Sequence, residues 1–160
     1  MLVVDGHAAE IVILRALLRR LRAADVDDAA DGATALAKMR SRRYGLVIAN
    51  WNMTPLTGGD FLYELRSDPG LSRIPVVVTG QSKPDDVIAA KKAGANSYIV
   101  KPFNAQTLKM KIDAAFATIS APLMERQQEA TAASALPSHQ TEPASADRTK
   151  FEGLFTVTLK

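Results

Sequence analysis

A chain of 160 residues with 47% hydrophobic and 23% charged side chains has the makeup of one ordinary soluble domain plus an appendage. It contains no cysteine, which excludes a disulfide framework and a thiolate metal site and fits a reducing compartment; 20 Lys and Arg against 17 Asp and Glu leave a net charge of +3, too small an excess to argue for nucleic acid. Met1 to Gly6 lacks the basic start and long apolar run of a signal peptide, and no apolar stretch approaches membrane-spanning length, so a cytoplasmic location is expected.

Leu2 to Val4 read as a short strand ending at Asp5. Gly6 then opens a helical pattern in which Ile11, Leu14, Leu17, Leu18 and Leu21 recur at spacings of three and four, with Arg15, Arg19, Arg20 and Arg22 on the remaining positions as a solvated face. Val26 to Ala30 is a weak strand, closed by Asp31-Gly32, which can cap a helix over Ala33 to Ser41 with Leu36 and Met39 inward. Leu46 to Ala49 is an unbroken apolar run, too short for a helix, and reads as a central strand covered on both faces. It ends in the polar cluster Asn50-Trp51-Asn52-Met53. A turn-rich loop through Thr57, Gly58 and Gly59 leads to a helix over Asp60 to Arg66, stopped by Asp68-Pro69-Gly70. Ile74 to Val78 is a second buried strand ending at Thr79-Gly80. Pro84 begins a helix to Lys92 that Ala93-Gly94 terminates. Ser97 to Val100 is the last strand, ending at Lys101-Pro102, and Asn104 caps a helix with Leu108, Ile112, Ala115, Phe116 and Ile119 inward.

A strand followed by a helix, five times over, predicts a doubly wound α/β fold: a five-stranded parallel sheet in the flavodoxin-like order 2-1-3-4-5 with helices on both faces. Residues 1–120 form this domain. Residues 121–150, rich in Ala, Ser, Thr, Gln and Glu with three prolines, read as a flexible linker. In 151–160, Phe155, Val157 and Leu159 alternate with polar residues, the pattern of a strand that needs a partner. Thirty linker residues span roughly 30 Å, enough for that strand to reach the edge at Val26 to Ala30 or an edge on a second copy, which would make a homodimer.

Ligands of such sheets bind at the carboxyl ends of the strands. Those ends present Asp5, Asn50, Thr79 and Lys101. His7 and His139 have no partner at metal-ligand spacing, and Trp51 and Met53 read as loop packing. With these residues, and with Leu2-Val3-Val4-Asp5, Tyr44-Gly45, Pro75 to Gly80, Ala93-Gly94-Ala95 and Tyr98 to Phe103, the chain resembles the CheY-like receiver domains of two-component response regulators over residues 1–119. The resemblance implies a phosphoryl-transfer site of two adjacent acids, a phospho-accepting aspartate, a hydroxyl and a lysine. Asp5, Thr79 and Lys101 match the first acid, the hydroxyl and the lysine, and Tyr98 matches an aromatic switch residue. The resemblance also implies a cis bond at Lys101-Pro102 and a Lys101 that reaches Asp5 or Asn50. Two positions depart: Gly6 stands where the metal-binding second acid belongs, and Asn50 where the phosphorylated aspartate belongs. Thr57 also replaces a usual acid.

Three carboxylates against one ammonium need Mg²⁺, a hard cation that takes oxygen ligands. Asp5 against Lys101 leaves a net of zero, so no cofactor and no metal are expected, and an amide is no nucleophile toward a phosphoryl donor. The expectation is a pseudo-receiver: not an enzyme, and a module that binds a signalling or motility protein, possible partners including a histidine kinase, without membrane or nucleic acid. Its output face would carry Lys91, Lys92, Tyr98, Lys109 and Lys111. Two alternatives stand beside it: a regulator that accepts phosphate on a non-standard residue such as Thr79, and a pocket beside Lys101 that binds a nucleotide or another phosphate compound.

Overall fold

The computed structural model of the protein describes residues 1–120. Five parallel strands stand in the order β2-β1-β3-β4-β5: β1 Leu2–Val4, β2 Asp27–Ala29, β3 Val47–Asn50, β4 Val76–Gly80 and β5 Ser97–Val100. The helices are α1 Ala8–Arg20, α2 Gly32–Ser41, α3 Gly58–Ser67, α4 Pro84–Ala93 and α5 Ala105–Ser120. The expected doubly wound order is the observed one. The strand-like pattern at Phe155, Val157 and Leu159, and the linker before it, lie outside the described residues.

The two-residue period of a strand divides the core into two layers. Leu2, Val4, Val47, Ala49, Val76 and Val78 pack with Leu36, Met39, Phe61, Leu62, Leu65 and Ala90 from α2, α3 and α4. Val3, Ile48, Val77 and Ile99 pack with Leu14, Leu18, Leu108 and Ala115 from α1 and α5. Each strand residue of the second layer is followed two positions later by Asp5, Asn50, Thr79 or Lys101. The periodicity that buries the core thus carries four polar side chains to one end of one face.

Several boundaries differ from expectation. Strand β4 starts at Val76, because Leu71 to Ile74 close a turn in which the Ile74 amide donates to the Leu71 carbonyl at 3.0 Å, and it runs on through Thr79 and Gly80. Helix α3 begins at Gly58, since the Thr57 hydroxyl accepts from the Asp60 amide at 3.2 Å and so caps it. Phe116 and Ile119 are not core residues. They are 45% and 36% exposed, because Phe116 lies about 80° around the helix from Leu108 and Ile119 sits in the last turn.

The weak second strand is held by charge. Asp5 N donates to Ala29 O and Asp27 N to Met1 O, so the Val26 and Asp28 carbonyls point away from the sheet. Arg15 Nη2 donates to Val26 O at 3.1 Å, Lys38 Nζ to Asp28 O at 2.7 Å, and the Asp28 amide donates to Asp27 Oδ1 at 2.9 Å. Arg15, which the sequence placed on a solvated face, is therefore bound to β2, and so is Lys38. The β2 edge, the expected docking place for a further strand, has its outward groups taken by side chains, one of the ways in which proteins protect sheet edges.

Asp27 accepts from Tyr44 Oη at 2.6 Å and Lys38 Nζ at 3.1 Å, and these bonds hold its carboxyl down at about 2 against an ordinary 3.8. A depressed folded-state value gives stability that is complete above the unfolded value and fades as pH falls from about 4 through about 2. Asp27→Asn is expected to lower the melting temperature between pH 5 and 7, where wild type holds the full contribution, and to flatten the acid fall so that the two curves converge as pH drops through about 2. A variant with the same acid slope as wild type would remove Asp27 as its source.

Candidate functional site

Asp5 is fully buried and lies at the centre of the cluster. Its Oδ1 accepts from the His7 amide at 2.9 Å and from Asn50 Nδ2 at 3.3 Å, and its Oδ2 faces Lys101 Nζ at 3.3 Å. A buried carboxylate is tolerable only when matched in this way. His7, whose side chain is 73% exposed, nevertheless brings Nδ1 to 3.2 Å from the same Oδ1. The sequence offered His7 no partner at metal-ligand spacing and did not pair it with Asp5; its place immediately before α1, two residues after Asp5, is the signal that would have found the contact.

Asn50 uses every polar atom of its amide. Nδ2 donates to Asp5 Oδ1 and, at 3.2 Å, to the Asn52 carbonyl, while Oδ1 accepts from the Asn52 amide at 3.4 Å. The Asn52 backbone, one donor and one acceptor, fixes which end of the amide faces Asp5. It is the NH₂ end. A carboxylate at this position would have no proton to give Asp5.

Lys101 Nζ meets a second acid that sequence reasoning missed, Glu10 Oε2 at 3.5 Å. The first turn of a helix is where acids are favoured, and Glu10 occupies that turn of α1 directly above the site. The charge count of zero is thereby corrected to two carboxylates against one ammonium. The Lys101-Pro102 peptide is cis, as expected, and Thr54-Pro55 is cis as well. Thr79, wholly buried, has a hydroxyl with no hydrogen-bond partner among the described residues, so the polar cluster at the strand ends is not fully satisfied.

Gly6 leaves open space where an acid would stand; an added Cβ would meet nothing closer than the Ala30 carbonyl at 3.7 Å. His7, Glu10, Asn50, Asn52, Gln81 and Lys101 border a cleft of about 230 Å³ over the cluster. Trp51 packs against the first core layer beside it, and Gly58 lets α3 approach, since a Cβ there would lie 2.9 Å from Trp51 Cα. Tyr98 sits on the opposite layer from Lys101, its hydroxyl donating to the Gln81 carbonyl at 3.0 Å. Burial, and next the charge of Asp86, push its phenol up.

The fit to Mg²⁺ can be tested on these atoms. A hard cation takes six or more oxygens at short range. Asp5 has both oxygens engaged by donors, Asn50 turns nitrogen toward it, Asn52 O is taken by the same amide, and Gly6 adds nothing. Among the described residues no group of three or more His, Cys, Asp or Glu is placed to hold a metal ion. The donor set does not match the ion.

A doubly wound sheet with an acid, a hydroxyl and a lysine at the ends of β1, β4 and β5 defines the receiver class of signalling domain, and the family model for the response regulator receiver domain matches residues 1–113. The chain belongs to that family. Among its relatives, the chemotaxis protein CheY of Pseudomonas aeruginosa is 40% identical over 120 residues, which are 74% of this chain and 97% of that protein. CheY-3 of Vibrio cholerae is 40% identical over 116 residues, covering 72% of this chain and 89% of the relative. Among solved structures, Vibrio cholerae CheY4 superposes with a TM-score of 0.65 at 30% identity, covering 71% of this chain and 95% of that one. A receiver domain of a sensor histidine kinase from Pseudomonas aeruginosa, with a magnesium ion coordinated in its active-site cleft, superposes with a TM-score of 0.63 at 25% identity, over 68% of this chain and 89% of that one.

Proposed function

We propose that this receiver domain of two-component or chemotaxis signalling works as a pseudo-receiver, a protein-binding module that is not phosphorylated on an aspartate and needs no Mg²⁺. The observation that carries the reading is the Asn50 amide donating to Asp5: the group at the acceptor position is a hydrogen-bond donor to the acid that a metal would use. An amide nitrogen, its lone pair delocalised, does not attack phosphorus as a carboxylate does.

The two alternatives fare worse on specific atoms. Among the described residues Thr79 Oγ1 has no hydrogen-bonded base to take its proton, so none of them activates it as an acceptor. Lys101 is matched by Asp5 and Glu10, so the cleft holds surplus negative charge and is a poor receptor for a nucleotide or other phosphate. The output would pass through the surface of α4, β5 and α5. A cleft of about 490 Å³ there is bordered, among the described residues, by Val87, Tyr98, Val100, Lys91 and Lys111 and by no acidic side chain, which suits an acidic segment of a signalling partner such as a kinase or motility protein. No described helix is long and apolar enough to cross a membrane; with the cysteine-free sequence, a cytoplasmic site of action fits this reading.

Incubation of the full chain with acetyl phosphate and Mg²⁺, followed by intact-mass measurement, tests the proposal. No added mass is expected. A stoichiometric, Mg²⁺-dependent gain of one phosphoryl group would sink it, and mapping that group to Thr79 would establish the alternative acceptor.

A further inference from the structure

The two edges of the sheet are finished differently. On β2 the outward carbonyls of Val26 and Asp28 are taken by Arg15 and Lys38. On β5 the register pairs Thr79 with Ile99, and the Lys101 amide donates to the Gly80 carbonyl at 2.8 Å. The alternation of a parallel ladder therefore turns the backbone of Ser97, Ile99 and Lys101 toward β4 and that of Tyr98 and Val100 outward. Among the described residues no hydrogen bond from backbone or side chain reaches those outward amides and carbonyls, and Tyr98 makes only the bond from its hydroxyl to Gln81.

No helix covers this edge. The α4–α5 cleft of about 490 Å³ runs along it, with Tyr98 and Val100 on one side, Val87 and Lys91 from α4, and Lys111 and Thr118 from α5. Val100, a strand valine, is left 41% exposed. Open donors and acceptors beside an apolar wall are a template for one more strand, about 4.8 Å away.

The chain carries a segment that fits the template. Phe155, Val157 and Leu159 alternate with Thr156, Thr158 and Lys160, a strand pattern that by itself neither satisfies its backbone nor buries its apolar face. The faces match. Tyr98 and Val100 share the α4 side of the sheet with Val87, where an added apolar face would lie, and the α5 side offers Lys111 and Thr118 to the threonines. The reach is short as well. Helix α5 ends at Ser120, two residues past Thr118, and residues 121–150 span roughly 30 Å, which holds the segment at an effective concentration on the order of millimolar.

We infer that residues 155–159 dock within their own chain as a further strand on the outer edge of β5, with Phe155, Val157 and Leu159 against Val87, Tyr98 and Val100. The β2 edge is closed to them because its outward carbonyls are already bound. Docking at β5 is independent of the chemistry at Asn50. A partner that uses the same cleft has to displace the tail, a consequence that rests on the reading of this surface as the output face.

Amide hydrogen exchange followed by NMR on the full chain tests the docking, with Phe155→Asp/Val157→Asp/Leu159→Asp as the comparison, since that triple variant alters nothing within residues 1–120. The Tyr98 and Val100 amides are expected to exchange at least about tenfold more slowly in the wild type than in the triple variant, while the Ile99 amide, which faces β4, is equally slow in both. Nuclear Overhauser contacts from the Phe155 or Leu159 side chain to Val87 are expected in the wild type. Equal exchange at Tyr98 and Val100 in the two proteins would overturn the docking, and so would slowing confined to the β2 edge. Protection lost on dilution, or Overhauser contacts found only between differently labelled chains, would overturn its placement within one chain. The two proposals separate cleanly. A phosphoryl group gained in the mass measurement with the β5 edge protected would end the pseudo-receiver reading and leave the docked tail standing, and an unprotected edge without any phosphorylation would do the reverse.

Discussion

Gly6→Asp combined with Asn50→Asp is expected to create binding of Mg²⁺ and stabilisation by it, where the wild type is expected to show neither. The pair raises the local count from two carboxylates to four against the single Lys101 ammonium. At an effective dielectric of about 20, one unit charge at 4 Å is worth about 4 kcal/mol, and the ion carries two charges. Even after desolvation consumes most of that, roughly a hundredfold gain in affinity is a modest expectation. The geometry permits the change: Gly6 has room for a side chain, and the Asn52 carbonyl is released once residue 50 no longer donates to it.

The metal-free state should show the opposite sign. Asn50→Asp replaces a donor at 3.3 Å from Asp5 Oδ1 with a like charge, so the double variant in EDTA should melt below wild type, and Mg²⁺ should restore the loss. Calorimetric titration and melting with and without the ion read both effects; Trp51, the only tryptophan in the chain, supplies an optical signal beside the site. A double variant that neither binds the ion nor melts lower in EDTA would mean that the loops carrying residues 6 and 52, and not the missing charges, separate this site from a metal-binding one.

The largest loss of stability from a single polar substitution is expected at Arg66. Its guanidinium is more than half buried and meets no carboxylate among the described residues. Nε and Nη2 donate to the Gly94 carbonyl at 3.0 and 2.8 Å, Nη1 donates to the Ser72 and Ile74 carbonyls at 2.9 and 2.8 Å, and Nη2 also reaches Asn96 Oδ1 at 2.8 Å. Burial lowers its pKa, yet it stays charged, and the five bonds tie the turn before β4 to the turn before β5. Gly94, at a φ of 104°, closes α4 over this arginine. Arg66→Met would fill the space with apolar atoms and leave three carbonyls, those of Ser72, Ile74 and Gly94, without a donor, while Asn96 Oδ1 keeps the Val76 amide at 2.8 Å. Each unsatisfied buried acceptor costs about 1–3 kcal/mol, less where water reaches it, so a total near 3 kcal/mol is reasonable. That corresponds to a fall in melting temperature on the order of 10 °C for a domain of this size. Arg66→Lys should recover little, because one ammonium cannot span three carbonyls. Urea unfolding showing a change under about 1 kcal/mol for Arg66→Met would mean that water replaces these bonds without penalty.

The sequence by itself determined the order of elements, the sheet topology and the residues at the four strand ends. Those features are local or periodic: apolar runs of four, glycine and proline at element ends, and a two-residue alternation that carries Val3 to Asp5 and Ile48 to Asn50 on one face. It also showed that Gly6 and Asn50 depart from the family's acids, because a residue's identity needs no neighbour to be read. Tertiary structure decided everything that depends on which side chains meet across long stretches of chain. Glu10 joins Lys101 from 91 positions away, Arg15 and Lys38 close the β2 edge, and Arg66 finds carbonyls on two other loops, none of which alters the periodicity of its own helix. The direction of the Asn50 amide and the bond from the Tyr98 hydroxyl to Gln81 belong to the same class. Each is set by the shape and donors of a partner folded against it, and pattern along one strand carries no information about that partner.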